Sequence, residues 1–309
     1  MRHIAQDVYA GLEQDETAQA PQQRTVDQDL ATSVGQEGGG AAVNSHDSEA
    51  LASLAIRPEQ FRLDGMHVLV TGGGRGLGQG IALSAIRCGA EVTIVARSGK
   101  QLKATALLAD EIGGKCYTEE VDLSRPEDIQ PLVDRLASLR PIDGVVHAAG
   151  IQIRKEATSV SIDDWRRLQA VNMDAPFFLS TAIARHQMEA GRAGSHVFIG
   201  SLNSTIGMPR VAPYAASKTA LLGMARVMST EWAGRGLRAN VIAPGYVHTE
   251  LTNDLLADPA NRARIQARIP EGGLGLPRDV GALVVFLLAD ASRYLTGQLI
   301  NIDGGWLAS

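Results

Sequence analysis

A phenol and an ammonium stand four residues apart in the segment SLNSTIGMPRVAPYAASK, residues 201–218, which opens on the hydroxyl of Ser201. Positions i and i+4 share one helix face a turn apart, so Lys218 can sit beside the Tyr214 phenol or beside the group that phenol acts on. A tyrosine next to a cation is a candidate general acid/base, and a nearby serine can donate to an oxygen where negative charge develops. A lone pair of this kind is more often an ordinary surface pair. Its meaning depends on the elements that position it.

Those elements start at Met66. MHVLVTG is a short apolar run ending in TGGGRGLG, and a helical pattern (Ile81, Ala82, Ala85, Ile86) continues to Cys88. EVTIVAR, a helix over 100–112, KCYTEEVD, a helix over 126–139 and IDGVVHAAG follow. The second half continues with a long helix over 162–189, SHVFIGS, a helix over 213–233, LRANVIA, a helix over 278–288 and the last strand, QLINID. Short strands alternating with longer helices predict right-handed βαβ crossovers and a parallel sheet. The expected fold is a single doubly wound α/β domain of Rossmann type, with about seven strands and helices on both faces.

Gly72, Gly76 and Gly78 fall where the first strand turns into the first helix. Glycines there let the backbone approach a pyrophosphate, whose charge meets the N–H groups at the helix start. After the second strand, a site for NAD(H) would place a carboxylate against the adenosine ribose, but this chain has Ala96 and then Arg97. The guanidinium of Arg97, helped by Arg75 in the glycine turn, can pair a 2′-phosphate. NADP(H) is therefore favoured, with NAD(H) the alternative.

Composition removes several other classes. The 309 residues are 45% hydrophobic and 20% charged, ordinary for a globular protein, and aromatics reach only 4%. With a net charge of −5 and no basic stripe, nucleic acid is not an expected partner. Residues 1–50 carry two cations against nine anions and show no sustained apolar period. Residues 1–58 are therefore expected to be an acidic, disordered extension with no legible address, and residues 59–309 the catalytic domain. Cys88 and Cys116 are the only cysteines, without a CxxC pair or Cys/His cluster, so neither a disulfide framework nor a metal site is expected. The apolar run 280–289 is too short to span a bilayer, and a cytoplasmic location without membrane contact is the expectation.

TGGGRGLG, Asp122 after the third strand, HAAG at 147–150, Asn172, Ser201, Tyr214, Lys218 and PGYVHT at 244–249 together resemble the short-chain dehydrogenase/reductase family. The likeness runs from about residue 60 to the C-terminus. GIQIR at 150–154, PYAASK, IAPGY, RIPEGGLGLPRDV and IDGGWLAS look most like the gluconate 5-dehydrogenase and 2-deoxygluconate 3-dehydrogenase branch. The resemblance implies that Tyr214 is the general acid/base and that Lys218 holds the nicotinamide ribose and lowers the tyrosine's pKa. It implies further that Ser201 donates to the substrate oxygen and that Asn172 completes the set through a water. Gly72, Gly76, Leu77, Gly78, Asp122, Leu123, Ala149, Gly150, Tyr214, Lys218, Pro244, Gly245, Val247 and Thr249 would line the cofactor, and the enzyme would be a homotetramer.

Pro176 lies four residues beyond Asn172 and has no N–H for the carbonyl of residue i−4, which leaves the Asn172 oxygen free to hold a water. His147 and Ala148 replace the two asparagines common in the family's turn, so hydrogen bonds there are lost or remade by imidazole.

Loops beyond the carboxyl ends of the strands should shape the substrate pocket. Gln152, Arg154, Asn203, Met208 and Tyr246 are the candidates, Arg154 as a partner for a carboxylate and His248 as a rim residue. Residues 247–275, charged and flanked by Gly and Pro, form a candidate mobile lid. The expected activity is NADP(H)-dependent interconversion of a secondary alcohol and a ketone on a small polar substrate such as a sugar acid or polyol. The alternatives are a reductase of 3-oxoacyl thioesters or other apolar ketones, and a cofactor-binding sensor without turnover.

Overall fold

β-branched runs build the centre of a seven-stranded parallel sheet in the computed structural model of the chain, which describes residues 55–308. Most of the expected N-terminal extension, residues 1–54, lies outside the described residues. The strands are β1 (His67–Thr71), β2 (Glu91–Ala96), β3 (Cys116–Glu120), β4 (Gly144–His147), β5 (Gly194–Ile199), β6 (Leu237–Pro244) and β7 (Leu299–Ile302). They lie in the order β3-β2-β1-β4-β5-β6-β7, as expected of a doubly wound sheet. Every residue of β1, β4 and β5 is buried, because helices cover both faces.

Alternate side chains divide between the two layers. On one face Val68, Val70, Ile94 and Ile199 pack against α1 (Gly76–Arg87) and α9 (Pro277–Leu288). On the other, Leu69, Val95 and Val145 meet α3 (Ile129–Leu139) and α5 (Ala175–Glu189), while Phe198, Ala239 and Val241 meet α6 (Ala212–Trp232). The remaining βαβ helix, α2 (Gly99–Glu111), connects β2 to β3.

One segment differs from the sequence expectation and a second is more regular than the sequence disclosed. The single helix over 162–189 is instead α4 (Ile162–Gln169), a π-helical turn (Ala170–Asp174) and then α5. The Ala175 N–H reaches back to the Ala170 carbonyl, so one extra residue is accommodated just before Pro176, which has no N–H to keep the ordinary register. Residues 247–275, the candidate lid, are built on two helices that the sequence reading did not place, α7 (Glu250–Ala257) and α8 (Pro259–Gln266). The Thr249 N–H donates to Thr252 Oγ1 at 3.1 Å, and Asp258 Oδ1 accepts the Ala260 N–H at 2.9 Å with Pro259 beginning the helix. That Asp-Pro start is a helix signal that the charge and Gly/Pro content of the segment had obscured. A parallel bridge between Val247 and Gly275 closes its base.

Candidate active site

The chain runs outward from β1 to β3 and then returns to β4 on the other side of β1. A crevice opens at the carboxyl ends of β1 and β4. There the Ala149 N–H donates to Thr71 Oγ1 at 3.1 Å and draws the two turns together. Gly72 has φ 69°, and a Cβ on it would stand 2.9 Å from Ala149 Cα. A Cβ on Gly78 would run into the Gly72 carbonyl, so helix α1 can begin this close to the strand only with glycine at that position. The result is a cradle of backbone N–H groups fitted to a pyrophosphate.

At the end of β2, Ser98 caps α2 by accepting the Gln101 N–H at 3.4 Å, and Arg97 precedes it. Asp122 lies near enough for the Arg97 charge to act on it. Burial raises the Asp122 carboxyl, but hydrogen bonds from Ser124, with the charges of Arg97 and Arg125, leave it below its ordinary value. Arg75 departs from expectation. Its guanidinium contacts the carboxylate of Glu250, the first residue of α7, and both side chains are exposed. An acid across the cleft thus competes for the second cation anticipated at a 2′-phosphate.

The strand–turn–helix from β5 to α6 carries the reactive side chains. Ser201 Oγ accepts the Asn203 N–H at 3.2 Å, so the Ser201 proton remains to be donated. The Ser201 hydroxyl faces the phenol of Tyr214 closely enough to oppose part of its rise in pKa, and Tyr214 is 8% exposed and packs against Leu168 and Val211. Lys218, one turn along α6 and 5% exposed, places Nζ 5.6 Å from the Tyr214 ring centre. Nζ donates to the Ile199 carbonyl at 2.6 Å. Burial lowers the Lys218 pKa to about 8. Burial also raises that of Tyr214, against smaller opposing effects from Ser201 and the Arg154 charge. This reverses the expected depression of the phenol: the buried setting outweighs the nearby cations, and the lysine is turned to the main chain.

Asn172 is fully buried on the π-helical turn. Its Nδ2 donates to the Ile151 carbonyl at 2.9 Å and its Oδ1 accepts the Ile151 N–H at 2.9 Å. Nδ2 also reaches Ser217 Oγ at 3.3 Å, and that hydroxyl donates to the Tyr214 carbonyl at 2.8 Å. A carbon added to Gly150 would stand 3.6 Å from Asn172 Oδ1 and 3.7 Å from Lys218 Nζ, so the three residues meet at one point.

These parts surround a cleft of about 770 Å³. All the cofactor and substrate residues expected from the sequence line it, whereas Asn172 lies behind its wall and His248 is not among the lining residues. At the substrate end, Met208 Sδ lies 3.8 Å from both Asn203 Nδ2 and Tyr246 Oη. The Tyr246 ring stands 4.9 Å from that of Trp306, over which Arg268 stacks at 4.6 Å. Burial raises the Tyr246 phenol, and the charges of Arg154, Arg264 and Arg268 oppose it.

Sequence reasoning missed Ser98, Gln101 and Trp306. Ser98 carried a legible signal, a capping residue directly after a strand. Trp306 does not line the cleft but backs Tyr246, a contact made only through the folded C-terminus. His147 remakes the lost asparagine contacts in another form: Nε2 pairs with Ser180 Oγ at 2.7 Å and the ring stacks on Phe198 at 4.7 Å. Burial, with smaller effects from His196 and Lys218, holds its pKa well below the usual histidine value.

A glycine cradle at the switch point of a doubly wound sheet, facing a buried Ser–Tyr–Lys cluster, defines a dinucleotide-dependent oxidoreductase. A family model described as enoyl-(acyl carrier protein) reductase matches residues 72–307, and the chain belongs to the short-chain dehydrogenase/reductase family. It is 38% identical over 252 residues to the 2-dehydro-3-deoxy-D-gluconate 5-dehydrogenase of Escherichia coli K12, covering 80% of this chain and 98% of that protein. A crystal structure from Beutenbergia cavernae, assigned as an NAD(P)-dependent gluconate 5-dehydrogenase and holding NADP, superposes with a TM-score of 0.78. It is 40% identical, over 81% of this chain and 100% of that one. The gluconate 5-dehydrogenase of Burkholderia cenocepacia, solved with NADP and tartrate, has the same TM-score at 33% identity, covering 81% and 98% of the two chains. Among the described residues no helix is long and apolar enough to cross a membrane, and no group of acidic, His and Cys side chains could hold a metal ion.

Proposed function

We propose that the protein is an NADP(H)-dependent oxidoreductase interconverting a secondary alcohol and a ketone on a sugar acid. The nicotinamide, when bound, supplies or accepts the hydride. In ketone reduction Tyr214 Oη gives its proton to the substrate oxygen, and Ser201 Oγ donates a second hydrogen bond to that oxygen as negative charge develops. In alcohol oxidation the phenolate takes the proton back. Lys218 carries the positive charge beneath this pair, and Asn172 fixes the Gly150–Ile151 turn against it while its carbonyl, denied a partner by Pro176, holds the relay water. Arg97, with Ser98 and Gln101 beside it, receives the 2′-phosphate.

The observation that carries the substrate class is Arg154. Its charge acts on both the Tyr214 and the Tyr246 phenols, and among the described residues it forms no ion pair of its own. A cation at that place fits a carboxylate a short distance from the reacting carbon. The polar Gln152 and Asn203 that line the same cleft suit hydroxylated carbons better than an acyl chain. Initial rates of NADPH oxidation with 5-keto-D-gluconate and with a neutral ketose, L-sorbose, test the reading. The keto acid should lead by at least about tenfold in kcat/KM, and Arg154→Gln should erase that lead. Equal use of the two ketones by the wild type overturns the substrate class.

Self-association as a homotetramer is supported by an apolar face on α4, α5 and α6, where Ile162, Trp165, Phe177, Phe178 and Val227 are 40–69% exposed. Light scattering after size exclusion tests the stoichiometry. Two free thiols and no disulfide among the described residues suit a cytoplasmic location.

A further inference from the structure

Ser204 belongs to none of the roles above, yet its one hydroxyl joins the two elements that carry them. Ser204 Oγ accepts the Ser201 N–H at 3.2 Å and donates to the Lys218 carbonyl at 2.8 Å. The first partner stands at the end of β5 and the second on α6. The hydroxyl is nearly buried, Ser204 being 8% exposed, and a Cβ on Gly200 would come within 2.9 Å of it. It therefore fills the space that a side chain at residue 200 would need.

We infer that Ser204 is a positioning residue, whose hydroxyl sets Ser201 against α6 at the spacing that lets Ser201 and Tyr214 address one substrate oxygen. The inference rests on Ser201 and Tyr214 being the reacting pair. The Asn203 N–H engages a lone pair of Ser201 and so orients its hydroxyl with the proton left to donate, and that bond lies within the 202–204 turn that closes back on Ser201. Ser204 closes the turn at one end and fastens it to the helix at the other. Without the hydroxyl, the Ser201 N–H and one lone pair of the Lys218 carbonyl lose their partner in a buried setting. Misplacement of a reacting group by about 1 Å costs on the order of 10²-fold in rate. A second tie, Thr219 Oγ1 to the Asn203 carbonyl at 3.2 Å, keeps the turn on the helix when Ser204 is altered, so the fold survives.

A double-substitution cycle tests this, with NADPH oxidation driven by 5-keto-D-gluconate and, separately, by diacetyl, a ketone with no carboxylate. Ser204→Ala should lower kcat by about tenfold or more while the Kd for NADPH, read from cofactor fluorescence, stays within about twofold. In a Ser201→Ala background the same change should cost less than about twofold, because the group through which it acts is gone. An equal loss in both backgrounds, or a kcat within about twofold of wild type, overturns the inference. A Ser201→Ala enzyme as fast as wild type would instead remove the assignment of Ser201 itself. Activity with diacetyl alone would remove the sugar-acid reading and leave the Ser204 comparison intact. If Ser204→Ala does not fold, Ser204→Cys keeps the volume with a weak donor, and the same comparison decides.

Discussion

The Lys218 ammonium donates to the Ile199 carbonyl at 2.6 Å, across the floor of the cleft from strand to helix. A main-chain oxygen, not a carboxylate, is its partner, so no counter-charge offsets the cost of burying the charge. Its pKa falls to about 8 while that of the Tyr214 phenol rises.

Opposite pH responses in the two directions follow. Throughout the neutral range Tyr214 keeps its proton and is ready to act as an acid. Ketone reduction should hold level below about pH 8 and fall above it as Lys218 loses its charge. Alcohol oxidation, which needs the phenolate, should rise with pH. Initial rates in both directions from about pH 6 to about pH 10 check this, and a reduction rate still climbing at the alkaline end would contradict it.

Tyr214→Phe keeps the ring that packs against Leu168 and Val211 and removes only the transferable proton. Turnover should drop by roughly 10² to 10⁴, with melting temperature and NADPH affinity close to wild type. A loss within about tenfold would place the acid elsewhere.

Cofactor choice should depend on Arg97 more than on Arg75, whose guanidinium already faces Glu250. Arg97→Asp should shift the ratio of NADP⁺ to NAD⁺ affinity towards NAD⁺ by about tenfold or more, and Arg75→Ala by less. Glu250→Gln should release Arg75 and strengthen NADP⁺ binding. Fluorescence titrations of the three variants separate these effects. Equal losses in Arg97→Asp and Arg75→Ala would refute the ranking.

Among the described residues three buried histidines make stability fall on the acid side; His147 and His196 shift furthest, and His67 adds to them in the same direction. Burial lowers His196 to about 3, with a smaller effect from Arg238, and His147 moves in the same direction. Above about pH 6.5 both are neutral, folded or unfolded, and contribute no slope. Below it the unfolded chain takes up protons that the folded chain refuses. Stability should then decline by up to about 1.4 kcal/mol per pH unit for each histidine, until the folded-state value is reached. Melting temperatures across this range should show a shallower decline in His147→Asn and His196→Gln than in wild type; parallel curves would exclude these two histidines as the source.

Repeating local patterns made most of the fold legible. Apolar runs such as MHVLVTG, broken by glycine or polar turns and alternating with amphipathic stretches, specify strand and helix without tertiary help. The candidate reacting residues could be picked out because Tyr214 and Lys218 share a helix face and Ser201 follows a strand. What escaped depends on through-space partners. No local pattern announces that Arg75 will meet Glu250, that Trp306 will back Tyr246, or that a histidine can replace an asparagine by finding Ser180 on α5. The phenol's raised pKa escaped for the same reason, since burial is a property of the assembled core.

The reversal of strand order between β1 and β4 also divides the work of recognition. Beyond the ends of β1, β2 and β3 the cleft is lined by Arg75, Arg97 and Asp122, the side proposed for adenosine. Beyond the ends of β4, β5 and β6 it is lined by Arg154, Ser201 and Tyr246, the side proposed for the reaction. Each half is written in its own block of the chain, before and after Asp143. Exchanging one block between relatives should therefore shift chiefly the preferred dinucleotide or chiefly the preferred carbon skeleton, provided that the contacts crossing between the blocks, Arg75 with Glu250 and α1 against α9, are carried over together.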